Sequence, residues 1–367
     1  MNVDHEGRTR TCQQALSPGE CLVLFPGPNC QYLTGFRDEP MERHLLLFVP
    51  REGEPTFLAP TMYAEQLAET SVADIRLWDD GEDPREGVRE IVEGIDPERL
   101  LVDDRLWARF TQDLRAVTDA EFGLASEVLA DLRLKKDEAE IDAIRRASAL
   151  TDRVSEEIRA LDAVGMTERD LAREIDSRLA EAGGDGPSFE TIVAAGENGA
   201  RPHHRHGDRE IAAGDPVVLD FGTRIEGYPS DQTRTHVFGS EPPEGFAEVH
   251  DVVREAQQAA VETVEPGVPA EVVDRAAREV IEEAGYGERF THRTGHGVGI
   301  EVHEPPYIVE ENSRKLEAGM VFSVEPGIYL EGKFGVRIED LVAVTETGCE
   351  RLNDSSRGWR PRPPAGR

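Results

Sequence analysis

The sequence predicts an α+β chain of two domains: an N-terminal α/β unit over residues 1–134 and a C-terminal unit over 135–350, followed by a tail at 351–367. Three observations carry this. Strand-length apolar runs alternate with helical stretches through the first third of the chain. A charged joint, Lys135-Lys136-Asp137-Glu138, then separates them from a long amphipathic stripe. Beyond the joint the sequence repeats itself. GMTERDLAREIDSRLAEAG (165–183) lines up with GVPAEVVDRAAREVIEEAG (267–285) at a constant offset of 102, and IAAGDPVVLDFG (211–222) with LEAGMVFSVEPG (316–327) at 105. Such a repeat implies a pseudo-twofold C-terminal domain.

In the first unit, CLVLF (21–25) and HLLLFV (44–49) have the length and continuity of buried strands. PREGEP (50–55) reads as a hairpin turn into TFLA. A helix near 61–70, a strand IRLW (75–78), a helix near 84–94, a strand RLLV (99–102) and helical stretches to about 133 follow. No His, Cys and carboxylate cluster falls here, so this unit is expected to be structural or to cover a neighbouring site. After the joint, Ile141, Ile144, Ala147, Leu150, Val154, Ile158 and Leu161 recur every three or four residues, the stripe of one long helix. Thr167 with Asp170 resembles a capping box, and Gly183-Gly184 stops the helix it starts. RGWRPRPPAGR, Pro- and Arg-rich, reads as a frayed tail.

Composition narrows the function. The 74 acidic against 41 basic residues give a net charge of −33, which argues against a nucleic-acid backbone or an anionic membrane as partner. Only Lys135, Lys136, Lys315 and Lys333 are lysines. Acid-rich, lysine-poor composition suits a halophilic protein kept soluble in concentrated salt, although a high-GC genome also replaces lysine with arginine. MNVDHEGRTRT shows no apolar stretch behind its charges, and LLLFV (45–49) is far below a membrane span. Cys12, Cys21, Cys30 and Cys349 form no C-x-x-C pair. A reduced, cytoplasmic location is the expectation.

The chemistry centres on VVLDFGTRIEGYPSDQTRT (217–235). A buried strand carries Asp220 where a core strand stays apolar, and folding the segment about Ile225–Glu226 sets Asp231 opposite it. Opposed Cβ atoms lie about 4.5–5.5 Å apart. Two carboxylates at that range repel unless a cation lies between them. A solvated acidic loop explains this segment equally well by itself. The repeat weighs against that: it places Asp220 over Glu325 and Asp231 near the counterpart of Glu339, with a second turn at Glu331-Gly332. Between the pairs, THRTGHGVGIEVHEPP (291–306) offers His296 on G-x-G-x-G spacing, which lacks the G-x-G-x-x-G or Lys-Ser/Thr of a phosphate loop. A tight glycine-rich turn bringing His296 to a crowded centre fits better. Four carboxylates and one imidazole balance two divalent ions, and so hard a set suits Mn²⁺, Co²⁺, Fe²⁺ or Zn²⁺. Taken singly, Asp220 or Glu325 is a strand-end carboxylate, His296 a satisfied histidine and Arg337 a cross-strand ion-pair partner.

VVLDFG, SDQTRT, TGHGVGIEVHEPP, FSVEPGIY and GVRIEDLV together resemble the pita-bread metallopeptidase fold shared by methionine aminopeptidases, aminopeptidase P and prolidases, over nearly all of 137–350. The first unit, with NCQYLTGF (29–36), resembles the creatinase/prolidase N-terminal domain. The resemblance implies a dinuclear-metal peptidase cleaving Xaa-Pro bonds, either an aminopeptidase or a dipeptidase, with Mn²⁺ or Co²⁺ ahead of Zn²⁺ or Fe²⁺. It implies that Asp220 binds one metal, that Asp231 and Glu339 bridge both, and that His296 and Glu325 complete the second. It gives His203, or its neighbour His204, a proton-donating or intermediate-stabilising role, sets His303 by the scissile carbonyl, makes Glu325 the proton shuttle and has Arg337 brace the carboxylates. His206, His236, His250 and His292 are left without a role. Small peptides with proline in second position and a homodimer are implied as partners. Where some prolidases hold the dipeptide's carboxylate with an arginine after the HExP stretch, this chain has Tyr307. A catalytically inactive pita-bread module used for binding is the alternative, though such modules generally lose the ligands retained here.

Overall fold

A computed structural model describes residues 3–361. The chain divides into two compact units between Arg133 and Leu134. In the N-terminal unit the apolar runs become strands β1 (Glu20–Leu24), β2 (Leu46–Pro50), β3 (Thr56–Pro60), β4 (Asp74–Trp78), β5 (Arg99–Val102) and β6 (Glu121–Leu124). They form one mixed sheet in the order β4-β3-β2-β1-β5-β6. The β1/β2 and β2/β3 pairs are antiparallel and the others parallel. Val23, Phe48, Leu58, Ile91, Leu100 and Phe110 share its core. Strand β6 lies in a stretch read as helical. It is a short, half-exposed edge strand with no apolar run to announce it. The helix His5–Ala15, capped by Asp4 on Gly7 N, was likewise not evident.

The C-terminal unit opens with the helix Glu138–Arg159, started by a capping box in which Asp137 and Glu140 bond each other's backbone N–H. Ile144, Ala147, Val154 and Ile158 of its apolar stripe are fully buried. Twelve strands follow: β7 (Ile192–Ala195), β8 (Pro216–Phe221), β9 (Arg224–Ile225), β10 (Tyr228–Pro229), β11 (Gln232–Val237), β12 (Gly295–Gly297), β13 (Glu304–Ile308), β14 (Val321–Val324), β15 (Gly327–Leu330), β16 (Phe334–Arg337), β17 (Asp340–Val344) and β18 (Cys349–Arg351). They make sheets β11-β8-β7 and β13-β12-β14-β17-β18, with hairpins β9/β10 and β15/β16 extending them.

The repeat is visible bond by bond. At the start of the helix Glu168–Glu181, Glu168 N donates to Arg209 O and Arg169 N to Gly207 O. At the start of Ala270–Glu283, Ala270 N donates to Arg314 O and Glu271 N to Asn312 O. Gly165 N to Ile211 O recurs as Gly267 N to Leu316 O. The caps differ. Thr167 accepts from Asp170 N, whereas Pro269 has no side-chain oxygen to offer. The loop carbonyls therefore satisfy the second helix's first N–H groups.

Residues 351–361 are not a frayed tail. Asn353 Oδ1 accepts from Leu341 N at 2.7 Å, Trp359 O accepts from Val237 N, and the Trp359 ring meets Phe246 edge-on. This segment supplies partners that buried strand atoms would otherwise lack. The rest of the expected tail, 362–367, lies outside the described residues.

His236 on β11 and His250 in the helix Phe246–Glu262 are buried, and burial pushes their pKa values down to about 3 and about 4. An unfolded histidine titrates near 6.5. Between those values the unfolded chain takes up protons that the folded chain refuses. This contribution to stability is therefore complete above pH 6.5 and is lost as pH falls towards 4 and 3. Urea midpoints should decline from pH 7 to pH 5. His236→Leu should flatten the decline by about 2 kcal/mol at pH 5, the value of one and a half pKa units.

Candidate metal centre

Strand β8 carries Asp220 near its end, and the chain returns to β11 just past Asp231. The turn between them is centred on Glu226-Gly227, both left-handed with φ of 52° and 88°, as a two-residue hairpin loop requires. That shifts the expected register by two residues. Asp220 opposes Thr233, and Asp231 lies diagonally from it on the same face. A non-glycine residue at positive φ hid this turn centre. In the second half, β14/β17 and β15/β16 share one register, which continues to set Glu325 across from Glu339. Strand β12 presents His296, and the segment is a strand rather than a turn. Its glycines are required by close approach: a Cβ on Gly295 would lie 1.8 Å from Ser323 O, and one on Gly297 2.2 Å from Pro305 O.

The halves meet along β11. Glu339 N donates to Thr233 O at 3.1 Å, Thr233 Oγ1 to Glu339 Oε2 at 2.7 Å, and Arg337 N to Thr235 Oγ1 at 3.1 Å. All five expected ligand residues therefore reach one place. Ligand atoms of Asp231, His296 and Glu339 lie within 4.8 Å of one another. His296 Nε2 is 3.2 Å from Glu325 Oε1 and 3.6 Å from Asp231 Oδ2. Asp220 Oδ2 accepts from Arg337 Nη2 at 2.6 Å. Arg337 is also fixed by Nε to Thr233 Oγ1 and Nη1 to Tyr329 OH, both at 3.0 Å.

The electrostatics are those of a cation site. Burial, then Glu339, Asp220 and Glu325, push Asp231 well above the usual carboxylate range. Burial and the charges of Glu325 and Asp220 do the same to Glu339. Burial would also raise Glu325, but the hydrogen bond and charge of His296, with His292 and Arg337, outweigh it and hold Glu325 at about 2. Asp220 Oδ1 and Glu339 Oε1 are buried with no hydrogen-bond partner. A buried orphan acceptor costs about 1–3 kcal/mol, more when charged. Each of these carboxylates thus gives one oxygen to the protein and leaves the other without a donor among the described residues. The donors fit divalent ions held by oxygen and one imidazole.

Above the cluster is a cavity of about 540 Å³ whose wall includes His203, His204, His292, Arg293 and His303. The two adjacent histidines are distinguished by their surroundings. His204 Nε2 lies 2.8 Å from Glu168 Oε2, and Glu168 is fully buried and also accepts from Ala195 N, Asn198 Nδ2 and Gly207 N. His203 carries no such bond and is exposed in the cavity. His303 also lines the cavity, its ring centroid 4.2 Å from that of His296. Burial of the ring, then the charge of His296, lower its pKa to about 4. His206, without a role in the sequence reading, bonds Thr191 O. His292, placed in the same group, lines the cavity with Nε2 2.8 Å from Tyr329 OH. Sequence reasoning also missed Thr233 and Glu168. The one signal for Glu168 was its place beside the cap Thr167.

Comparison with known proteins gives a concordant picture. A model of the creatinase/prolidase N-terminal domain matches residues 19–135. The "Probable dipeptidase PepE" of Mycobacterium tuberculosis is 43% identical over 338 residues, 91% of this chain and 89% of that one. A prolidase structure from Thermococcus sibiricus superposes with a TM-score of 0.94 at 41% identity, covering 98% of this chain and 99% of the other. A dipeptidase structure from Pyrococcus horikoshii gives 0.92 at 41%, covering 96% and 99%. With metallopeptidase family M24 matched over residues 142–346, on the repeated halves that bring the carboxylates together, the chain belongs to that family.

Proposed function

We propose that this chain is a peptidase hydrolysing Xaa-Pro bonds at the N-terminus of small peptides with two divalent ions per chain, Mn²⁺ or Co²⁺ foremost. The observation that carries the reading is the meeting of four carboxylates and His296 beneath a cavity, with two buried carboxylate oxygens lacking any partner. The proline preference rests on the relative named prolidase. Asp220, Asp231, His296, Glu325 and Glu339 would hold the ions. Divalent ions there would supply Lewis acidity to the scissile carbonyl and make water nucleophilic near neutral pH.

The protein groups divide the remaining work. Hydrolysis adds water to the carbonyl carbon of Xaa, breaks its bond to the proline nitrogen and moves one proton from water to that nitrogen. Glu325, ionised and beside His296, takes the proton and returns it to the leaving amine. His303 is a neutral imidazole at pH 7, so it can donate an N–H to the oxygen that gains charge. His203 faces the same space and is the better candidate for the second donor, because Glu168 engages His204. Arg337 is a positioning residue: it fixes Asp220.

Metal add-back tests this. Protein stripped by chelator and assayed in high salt should be inactive on Ala-Pro and regain activity with Mn²⁺ or Co²⁺, with Ala-Ala cleaved about 100-fold less efficiently. Full activity without metal, or equal rates on Ala-Ala, would contradict the proposal.

A further inference from the structure

The duplication supplies an internal control for one buried charge. Glu168, first in the helix Glu168–Glu181, aligns with Ala270 at the repeat's offset of 102. Both helices begin with the same pair of backbone bonds to a later loop, so the helix start does not need a carboxylate. Both positions are fully buried. A charge in such a place is costly unless donors surround it. Glu168 has four. Its Oε1 accepts from Ala195 N and Asn198 Nδ2, each at 2.9 Å, and its Oε2 from His204 Nε2 at 2.8 Å and Gly207 N at 3.1 Å. Burial would raise its pKa, but these bonds outweigh it and hold Glu168 below the usual carboxylate value.

All four donors belong to one segment, 195–207, which leaves β7 and brings His203 to the cavity. Pro202 O, just before His203, accepts from Arg337 Nη1 at 3.4 Å. Gly199 is pressed against β16, where a Cβ on Gly335 would lie 1.9 Å from Gly199 O. His203 is exposed between two held neighbours, so they set its place. The second half presents His296 on strand β12, fixed by its own ladder, and has alanine where the first half has Glu168. We propose that Glu168 is a positioning residue for the hydrolysis: by gripping His204 and both ends of the 195–207 segment, it holds His203 towards the reacting carbonyl. Misplacing a reacting group by about 1 Å costs on the order of 100-fold in rate. The inference rests on the peptidase reading above.

The test is a double-mutant cycle with His203, read as kcat on Ala-Pro in the presence of Mn²⁺. Glu168→Gln keeps the volume but turns one acceptor oxygen into a donor that faces donors. It should lower kcat about 100-fold and change KM and retained Mn²⁺ less than about twofold. In a His203→Ala background the same substitution should lower kcat by less than about threefold further, because the group it positions is gone. A merely structural role would lower kcat by the same factor in both backgrounds. Should Glu168→Gln fail to fold, His204→Leu carries the test: it removes one of the four bonds and should lower kcat about tenfold with His203 present and less than about threefold without it. An unchanged kcat in the folded variant, or an equal loss with and without His203, would overturn the inference while leaving the peptidase reading standing. A wild-type protein that does not cleave Ala-Pro would overturn the peptidase reading, and this inference with it.

Discussion

Asp231→Asn should lower kcat/KM on Ala-Pro by about three orders of magnitude or more, while making the metal-free protein more stable. The two effects have one origin. Asp231 is 4% exposed and faces Glu339, Asp220 and Glu325, which push its carboxyl well above the usual range. Its charge is therefore unfavourable in the folded protein at neutral pH unless a cation is present. Asparagine keeps the shape and removes the charge. The metal-free variant should melt roughly 1–2 °C higher, the shift expected for about 1 kcal/mol in a chain of this size. Stabilisation by added Mn²⁺ should shrink at the same time. A structural carboxylate would behave oppositely, losing stability without gaining any from charge removal.

Lys136→Ala should destabilise the protein by about 3–5 kcal/mol, measured as a fall in the urea midpoint of the metal-loaded enzyme. Lys136 Nζ lies 2.7 Å from Glu304 Oε1, with the two side chains 1% and 4% exposed. Nζ also donates to Leu134 O. Removing the lysine takes the ammonium away from the buried carboxylate of Glu304, the residue that follows His303 and opens β13. Activity should therefore fall along with stability. Lys136→Met combined with Glu304→Leu should recover most of the stability, because an apolar pair of similar volume avoids the desolvation of both ions. If Lys136→Ala is as stable as the parent, the pair does not anchor this segment.

These two sites differ in how far sequence revealed them. The carboxylate pairs were legible because the domain is duplicated: each half repeats its helix, glycine and strand, so an acid in a core strand is seen twice. The N-terminal strands were legible as continuous apolar runs, and β6, short and half-exposed, was not. Lys136 looked like part of a solvated joint, since its partner is remote in sequence and nothing local marks the pairing. The first hairpin was mis-centred because Glu226 adopts a left-handed conformation usually left to glycine or asparagine. His203 and His204 are neighbours of one residue type, and only the buried Glu168 beside one of them tells them apart. His292 gained significance through Tyr329, a contact across the domain.

The most direct measurement is the metal content of purified protein equilibrated with Mn²⁺ and freed of excess ion. The four carboxylates and His296 predict two ions per chain in the wild type, and one or none in Asp231→Asn. A wild-type chain that retains no ion, or an Asp231→Asn chain that still retains two, would contradict the metal centre itself.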